Sequence, residues 1–164
     1  GMVMMLEPIY KALKDIKLKD KKSLVLLTSA KGSTFTQQKA QKLAAEIEQL
    51  IIICGHYEGI DERVAEKLVD EEISIGNYVL TGGELPAMII TDAVTRLLPG
   101  VLGNEDSLAT ESFTKGSELE HPQYTRPAEF TTDSGEVWTV PDVLLSGNHQ
   151  DIAQWRTENM KQQN

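Results

Sequence analysis

Apolar residues along the first hundred positions follow two rhythms. Ile9, Leu13 and Ile16 recur at helical spacing on one face of a helix predicted over Leu6 to Leu18, with Pro8 in its first turn. Ser23 to Thr28 (SLVLLT) is a continuous apolar run of strand length, the pattern of a strand buried on both faces. Thr36 stands where it can cap a second helix whose Ala40, Leu43, Ala44 and Ile47 line one side, and Leu50 to Cys54 (LIIIC) reads as a second buried strand. Strand, helix, strand in this order implies a parallel sheet in an α/β fold. Ligands of such sheets sit at the carboxyl ends of the strands, which directs attention to the loops after Thr28 and Cys54.

A third unit follows. GHYEGIDERVAEKLV predicts a turn and a helix from about Asp61, and EISIGNYVL a strand broken at Gly76. Gly82 and Gly83 open a helix predicted over Glu84 to Leu98, apolar nearly all round and therefore expected to be buried on more than one side, with Pro99 and Gly100 ending it. From Val101 to about Val137 no period is sustained, which predicts a functional loop or linker. A short apolar stretch, Val140 to Leu145, and a helix from about Asn148 to Met160 close the chain.

The chain has 164 residues, 40% hydrophobic and 25% charged, the size and make-up of one compact domain rather than a disordered or fibrous chain. Its net charge of −9 argues against a general nucleic-acid binder. That number hides an asymmetry. Residues 1–50 carry nine lysines against five acids, a balance of +4, and the remainder carries seven basic residues against twenty acids, a balance of −13. The lysines from Lys11 to Lys22, with Lys31, Lys39 and Lys42, read either as solvated faces or as a phosphate-facing patch. Cys54 is the single cysteine, so no intramolecular disulfide forms and a reducing cytoplasm fits. No apolar run approaches the roughly 20 residues that span a bilayer, and no membrane partner is expected.

Three glycine-containing turns follow apolar strands: Gly55 to Gly59, the turn around Gly76, and Gly82 to Pro86. None matches a dinucleotide fingerprint or a P-loop, and each alone is compatible with an ordinary turn. Tyr57 beside Glu58 is either a tyrosine next to a solvated acid or a charge-and-ring pair suited to a cationic ligand such as a sulfonium. Arg96 either pairs with Asp92 one helical turn earlier or turns its guanidinium toward developing negative charge on a substrate. His56, His121 and His149 are too scattered for a recognised metal site, so none is expected, and Trp138 and Trp155 are read as core residues with base stacking as the alternative.

Read together, these segments are more specific. CGHYEGIDERV (Cys54 to Val64), DEEISIGNYVLTGGELPAM (Asp70 to Met88), RLLPGVLG (Arg96 to Gly103), HPQYTRP (His121 to Pro127) and VPDVLLSGNH (Val140 to His149) resemble the bacterial tRNA (guanine-N1)-methyltransferase family of the SPOUT class. The resemblance implies a parallel α/β sheet with a deep trefoil knot, a homodimer with its active site shared across the interface, and S-adenosyl-L-methionine as cofactor. The implied substrate is guanosine 37 of tRNA, methylated at N1. The implied layout is a cofactor domain over residues 1–102, a linker and active-site loop over 103–137, and the start of a helical tRNA-binding domain over 138–164.

Carried over position by position, the resemblance puts the cofactor on Thr28 and Ser29, on Gly55, Tyr57 and Glu58, on Ile75, Gly76, Asn77, Tyr78, Val79 and Leu80, and on Gly82, Gly83 and Pro86. Arg96 is the implied cation near the guanine O6, and Glu111 the implied general base at a position where the family usually has Asp. Mg2+ is left open as a further requirement. Two departures stand out: Ala30-Lys31-Gly32 replaces the family's Pro-Gln-Gly, and the family's N-terminal segment and arginine-rich C-terminal helices have no counterpart, so the chain reads as truncated at both ends. A catalytically silent remnant that binds cofactor or dimerises is the alternative. Against the resemblance, acidity records the missing basic end rather than excluding RNA, and the lysine-rich first fifty residues are the expected phosphate contact.

Overall fold

In the computed structural model of the chain, which describes residues 2–102, 112–113 and 118–162, two compact units succeed one another, Gly1–Glu105 and Asp106–Asn164. The first is an α/β layer built in the order α1 (Leu6–Ile16), β1 (Ser23–Thr34), α2 (Gln37–Glu46), β2 (Gln49–Cys54), α3 (Glu62–Lys67), β3 (Glu71–Ser74) and α4 (Glu84–Thr95). The three strands form a parallel sheet in the order β2-β1-β3, so β1 is central. The apolar run of β1 is explained by that position. Val25 and Leu27 face one side, where Leu13, Ile51, Ile53 and Val64 close a core beneath α1 and α3. Leu26 faces the other, packed with Ala40, Leu43, Ile73, Ile90 and Val94 beneath α2 and α4. Leu26, Ile73 and Ile90 are essentially inaccessible; burial of each stabilises the unit by about 1.5–3 kcal/mol.

Polar groups fix the ends of these elements. The Thr36 side chain accepts from the Lys39 N–H at 3.2 Å, as its predicted capping role requires. The Val25 N–H donates to the Asp70 carboxylate at 2.7 Å while the Asp70 N–H donates to the Val25 carbonyl at 2.9 Å, which sets where β3 begins against β1. Between α2 and β3, the Lys39 ammonium pairs with the half-buried Glu71 carboxylate, which also accepts from the Ser33 hydroxyl. Five of the nine lysines in the first fifty residues are held in ion pairs with glutamates: Lys11, Lys21, Lys22, Lys31 and Lys39.

Strand β1 is twice as long as its apolar run. Thr28 and Ser33 both pair with Ile73, and Ser29 to Gly32 make an excursion between the two pairings. Gly32 is pressed against the backbone of Glu72 and Ile73, where a Cβ would collide.

Four expectations are corrected here. The strand predicted over EISIGNYVL stops at Ser74, because the Gly76 N–H donates to the Ser74 hydroxyl and Gly76 takes φ +150°, which ends the ladder. Helix α4 buries Pro86, Ile90 and Val94 on one side only; Leu85, Met88 and Ile89 remain 56%, 66% and 47% exposed. In the second unit, β5 (Glu129–Thr131) and β6 (Val137–Thr139) form an antiparallel hairpin that straddles position 137, after a short strand β4 (Glu118–Leu119). Trp138 is 57% exposed on that hairpin, opposite Phe130, rather than in a core. The unit ends with α5 (Asp142–Leu145), α6 (His149–Glu158), whose Asn148 cap accepts from the Gln150 N–H, and β7 (Lys161–Gln162), which pairs with β4. Among the described residues no helix is long and apolar enough to cross a membrane.

Two measurements check this account. Gly32→Ala forces a side chain into the β3 backbone and is expected to destabilise the chain by about 1–3 kcal/mol in urea unfolding. Burial pushes the Glu71 carboxyl up, but the Lys39 and Ser33 contacts outweigh it and hold it below the ordinary value of 4.5. The stability this confers is complete above pH 4.5 and is lost as pH falls through the lower folded value. The unfolding-energy gap between wild type and Lys39→Met is therefore expected to be full at pH 7 and to shrink below 4.5.

Candidate active-site cleft

The sheet ends at three neighbouring points: Thr28, where β1 leaves on its excursion, Cys54 at the end of β2 and Ser74 at the end of β3. The turn after β2 is held in an unusual shape, with Tyr57 at φ +58° and Gly59 at φ +127°. Its clamp is the segment before α1. The Glu58 N–H donates to the Met2 carbonyl at 3.0 Å, the Met4 N–H to Gly59 at 2.9 Å and the Asp61 N–H to Met4 at 3.0 Å. A non-glycine residue at positive φ costs of order 1–3 kcal/mol and persists where its surroundings over-determine it.

The turn after β3 is closed by the Tyr78 hydroxyl, which donates to the Ile75 carbonyl at 3.2 Å. The chain then returns to seat α4 on the ends of β1 and β2. The Gly83 N–H donates to the Gly55 carbonyl at 2.7 Å, and a Cβ on Gly83 would collide with the Thr28 hydroxyl and the backbone of Cys54 and Gly55. Only glycine permits that approach. The Thr28 hydroxyl, itself buried, donates to the Ile53 carbonyl at 3.2 Å.

These turns enclose a cleft of about 500 Å3. Thirteen of the fourteen sequence-predicted binding residues line it: Thr28 and Ser29; Gly55, Tyr57 and Glu58; Ile75, Gly76, Tyr78, Val79 and Leu80; Gly82, Gly83 and Pro86. Asn77 lies in the same turn, exposed and off the wall. Arg96 is not on the wall either. It is the C-cap of α4, whose other end carries Gly83, and a helix of this length separates the two by about 20 Å. Glu111 lies outside the described residues.

The wall also includes groups that the sequence reading passed over. Asp61, Glu62 and Ala65 come from the start of α3, Glu72 from β3 and Lys31 from the β1 excursion. The signal for Lys31 was present as an altered loop, whereas the α3 residues read only as a helix start. Asp61 caps α3, and side-chain and backbone hydrogen bonds from Arg63, at 2.6–3.0 Å, hold its carboxyl down to about 2. It is therefore ionised at any physiological pH. His56 stands 3.3 Å from the Glu84 carboxylate and edge-on to Tyr57. Burial, aided by Glu84, pushes the Cys54 thiol up, away from thiolate chemistry. A volume of this size suits a nucleoside-sized ligand, and a wall carrying Glu58, Asp61, Glu62 and Glu72 suits a cationic one.

In the second unit, His121, Tyr124, Arg126, Leu144, Trp155 and Arg156 border a separate cleft of about 760 Å3, with the His121 and Tyr124 rings edge-on to Trp155. Among the described residues no group of three or more His, Cys, Asp or Glu side chains comes together to hold a metal.

The chain is 56% identical over 159 residues to the tRNA (guanine-N(1)-)-methyltransferase of Halalkalibacterium halodurans, covering 96% of this chain and 62% of that protein. It is 56% identical to the enzymes of the same name from Staphylococcus haemolyticus, over 158 residues (96% of this chain, 61% of that protein), and Bacillus cereus, over 157 residues (95% and 62%). The chain thus spans about three fifths of the length of these relatives. The family model described as tRNA (Guanine-1)-methyltransferase TrmD matches residues 1–164, its whole length, and the chain belongs to that family.

Proposed function

We propose that the strand-end cleft binds S-adenosyl-L-methionine and that the chain serves methyl transfer to N1 of guanosine 37 in tRNA. The observation that carries this reading is that thirteen positions carried over from the family resemblance, on four stretches of chain, line one cleft. When bound, S-adenosylmethionine supplies an electrophilic methyl group on a sulfonium centre. The protein's part is positional and electrostatic. The tight turns around Gly55, Gly76 and Gly83 bring backbone to the wall without intervening side chains, and the acidic side chains of the wall favour a positive ligand charge.

Methylating guanine N1 requires removing its proton and stabilising the charge left on N1 and O6. We assign the proton to Glu111 and the charge to Arg96. The distance from Arg96 to the cleft along α4 favours a site completed by a second copy, and the exposed Leu85, Met88 and Ile89 on the same helix favour a homodimer. The close return of the chain to Gly83 between the ends of β1 and β2 supports a trefoil knot in this region.

Calorimetry with S-adenosylhomocysteine is expected to show one site per chain with slowed amide exchange at Gly55 and Gly82. Gly83→Ala is expected to abolish that binding; an absence of heat with wild type would sink the cofactor assignment. With unmodified tRNA carrying guanosines at 36 and 37, transfer is expected to fall at least about 100-fold in Arg96→Ala and in Glu111→Ala, with S-adenosylhomocysteine binding intact. Cofactor binding with no transfer in wild type would instead support the silent reading.

A further inference from the structure

We infer that Lys31 is the residue that takes the carboxylate of the cofactor's amino-acid end, and that Glu62 holds its ammonium in store until the ligand arrives. The inference rests on the reading of the cleft as the cofactor site. S-adenosylmethionine brings three charges there: a sulfonium, an ammonium and a carboxylate. The acids Glu58, Asp61, Glu62 and Glu72 suit the first two. They repel the third, and a carboxylate brought among them needs a cation beside it. Among the described residues lining the cleft, Lys31 is the only lysine or arginine.

Its surroundings fit that task. The Lys31 ammonium contacts both Glu62 carboxylate oxygens, at 3.1 and 3.3 Å, with the two side chains 70% and 61% exposed. A pair so exposed is worth little and is readily exchanged for another carboxylate. The backbone beneath it is not so free. The excursion that carries Lys31 is pinned at both ends by the pairing of Thr28 and Ser33 with Ile73, Gly32 is pressed on the β3 backbone, and the Lys31 N–H donates to the Ser29 hydroxyl at 3.2 Å. A mobile ammonium on a fixed base can move from one carboxylate to another without reshaping the cleft. Lys39, by contrast, is committed to Glu71 on the far side of β3 and lines no part of the wall.

The test compares two probes, S-adenosylhomocysteine and 5′-methylthioadenosine, which lacks the amino-acid end, by calorimetry on wild type, Lys31→Met and Glu62→Gln. Lys31→Met is expected to weaken S-adenosylhomocysteine about fivefold, the scale of one exposed ion pair, and to leave 5′-methylthioadenosine unchanged. Glu62→Gln removes the competitor together with one acid of the wall, and is expected to weaken S-adenosylhomocysteine less than Lys31→Met does, again with 5′-methylthioadenosine unchanged. If both variants weaken both probes alike, the pair only braces the loop and the inference fails. It fails equally if Lys31→Met binds S-adenosylhomocysteine as wild type does. Should wild type bind neither probe, the cofactor reading itself is lost and the inference with it, an outcome distinct from the other two.

Discussion

The first unit depends on one strand being used on every side. β1 is hydrogen-bonded along both edges, to β2 and to β3, and packed on both faces, by α1 and α3 on one and α2 and α4 on the other. A strand so enclosed cannot slip by one residue, because a shift would exchange Val25 and Leu27 with Leu26 and mismatch both cores together. Its end is therefore a fixed point, and the cleft is organised around it. The Thr28 hydroxyl, the last buried group of the first pairing, is also the atom that leaves no room for a side chain on Gly83. The start of α4 takes its position from that contact, and the excursion of β1 begins at the same residue.

How much of this was legible in the sequence follows from how much each element depends on burial. β1 and β2 are short apolar runs because they are buried, and Thr36 declares the start of α2 through its cap. The second-unit hairpin gave no such sign: all six residues of β5 and β6 are exposed, so neither strand alternates between core and solvent. Residues 75–80 misled in the opposite direction. Ile75, Tyr78, Val79 and Leu80 have strand-like character, yet they turn over the cleft, with Val79 90% exposed. Apolar side chains there suit a proposed adenosyl ligand rather than a core, and a residue pattern cannot separate those two uses. The strand-end rule for parallel sheets pointed to the loops after Thr28 and Cys54, and the individual residues of the cleft came through family-like motifs. Asp61, Glu62 and Lys31 join it through folding of α3 against the β1 excursion, which no local pattern reports.

Charge works at a shorter range than composition suggests. The whole-chain value of −9 describes neither the lysines of the first fifty residues, five of which pair with glutamates, nor the cleft, where among the described residues four acids meet one lysine. At physiological ionic strength interactions fade beyond about 8 Å, so a ligand in the cleft responds to Glu58, Asp61 and Glu62 rather than to the net charge. Asp61 shows how firmly that local field is held. Its carboxyl serves at once as the cap of α3 and the partner of Arg63, and the same hydrogen bonds keep it ionised beside the wall. Structural satisfaction and ligand preference are here one set of contacts.

Helix α4 connects the proposed cofactor site to the rest of the proposed reaction. Its first residue is fixed against the strand ends by Gly83, one side is buried by Pro86, Ile90 and Val94, and the helix carries Arg96 away from the cleft. The Arg96 backbone stands about 20 Å along α4 from the Gly83 end that borders the cleft, so the proposed role of Arg96 is easier to fill from a second copy than within one chain. The same helix leaves Leu85, Met88 and Ile89 exposed, an apolar surface on an element already committed on its other side. One arrangement accommodates both facts. If α4 packs through that surface on a second copy, the apolar side chains are covered and α4 of each chain, with Arg96 at its end, is carried toward the cleft of the other. The all-round apolar character of α4 in the sequence then has a single physical origin, a helix buried from within by its own sheet and from without by its partner.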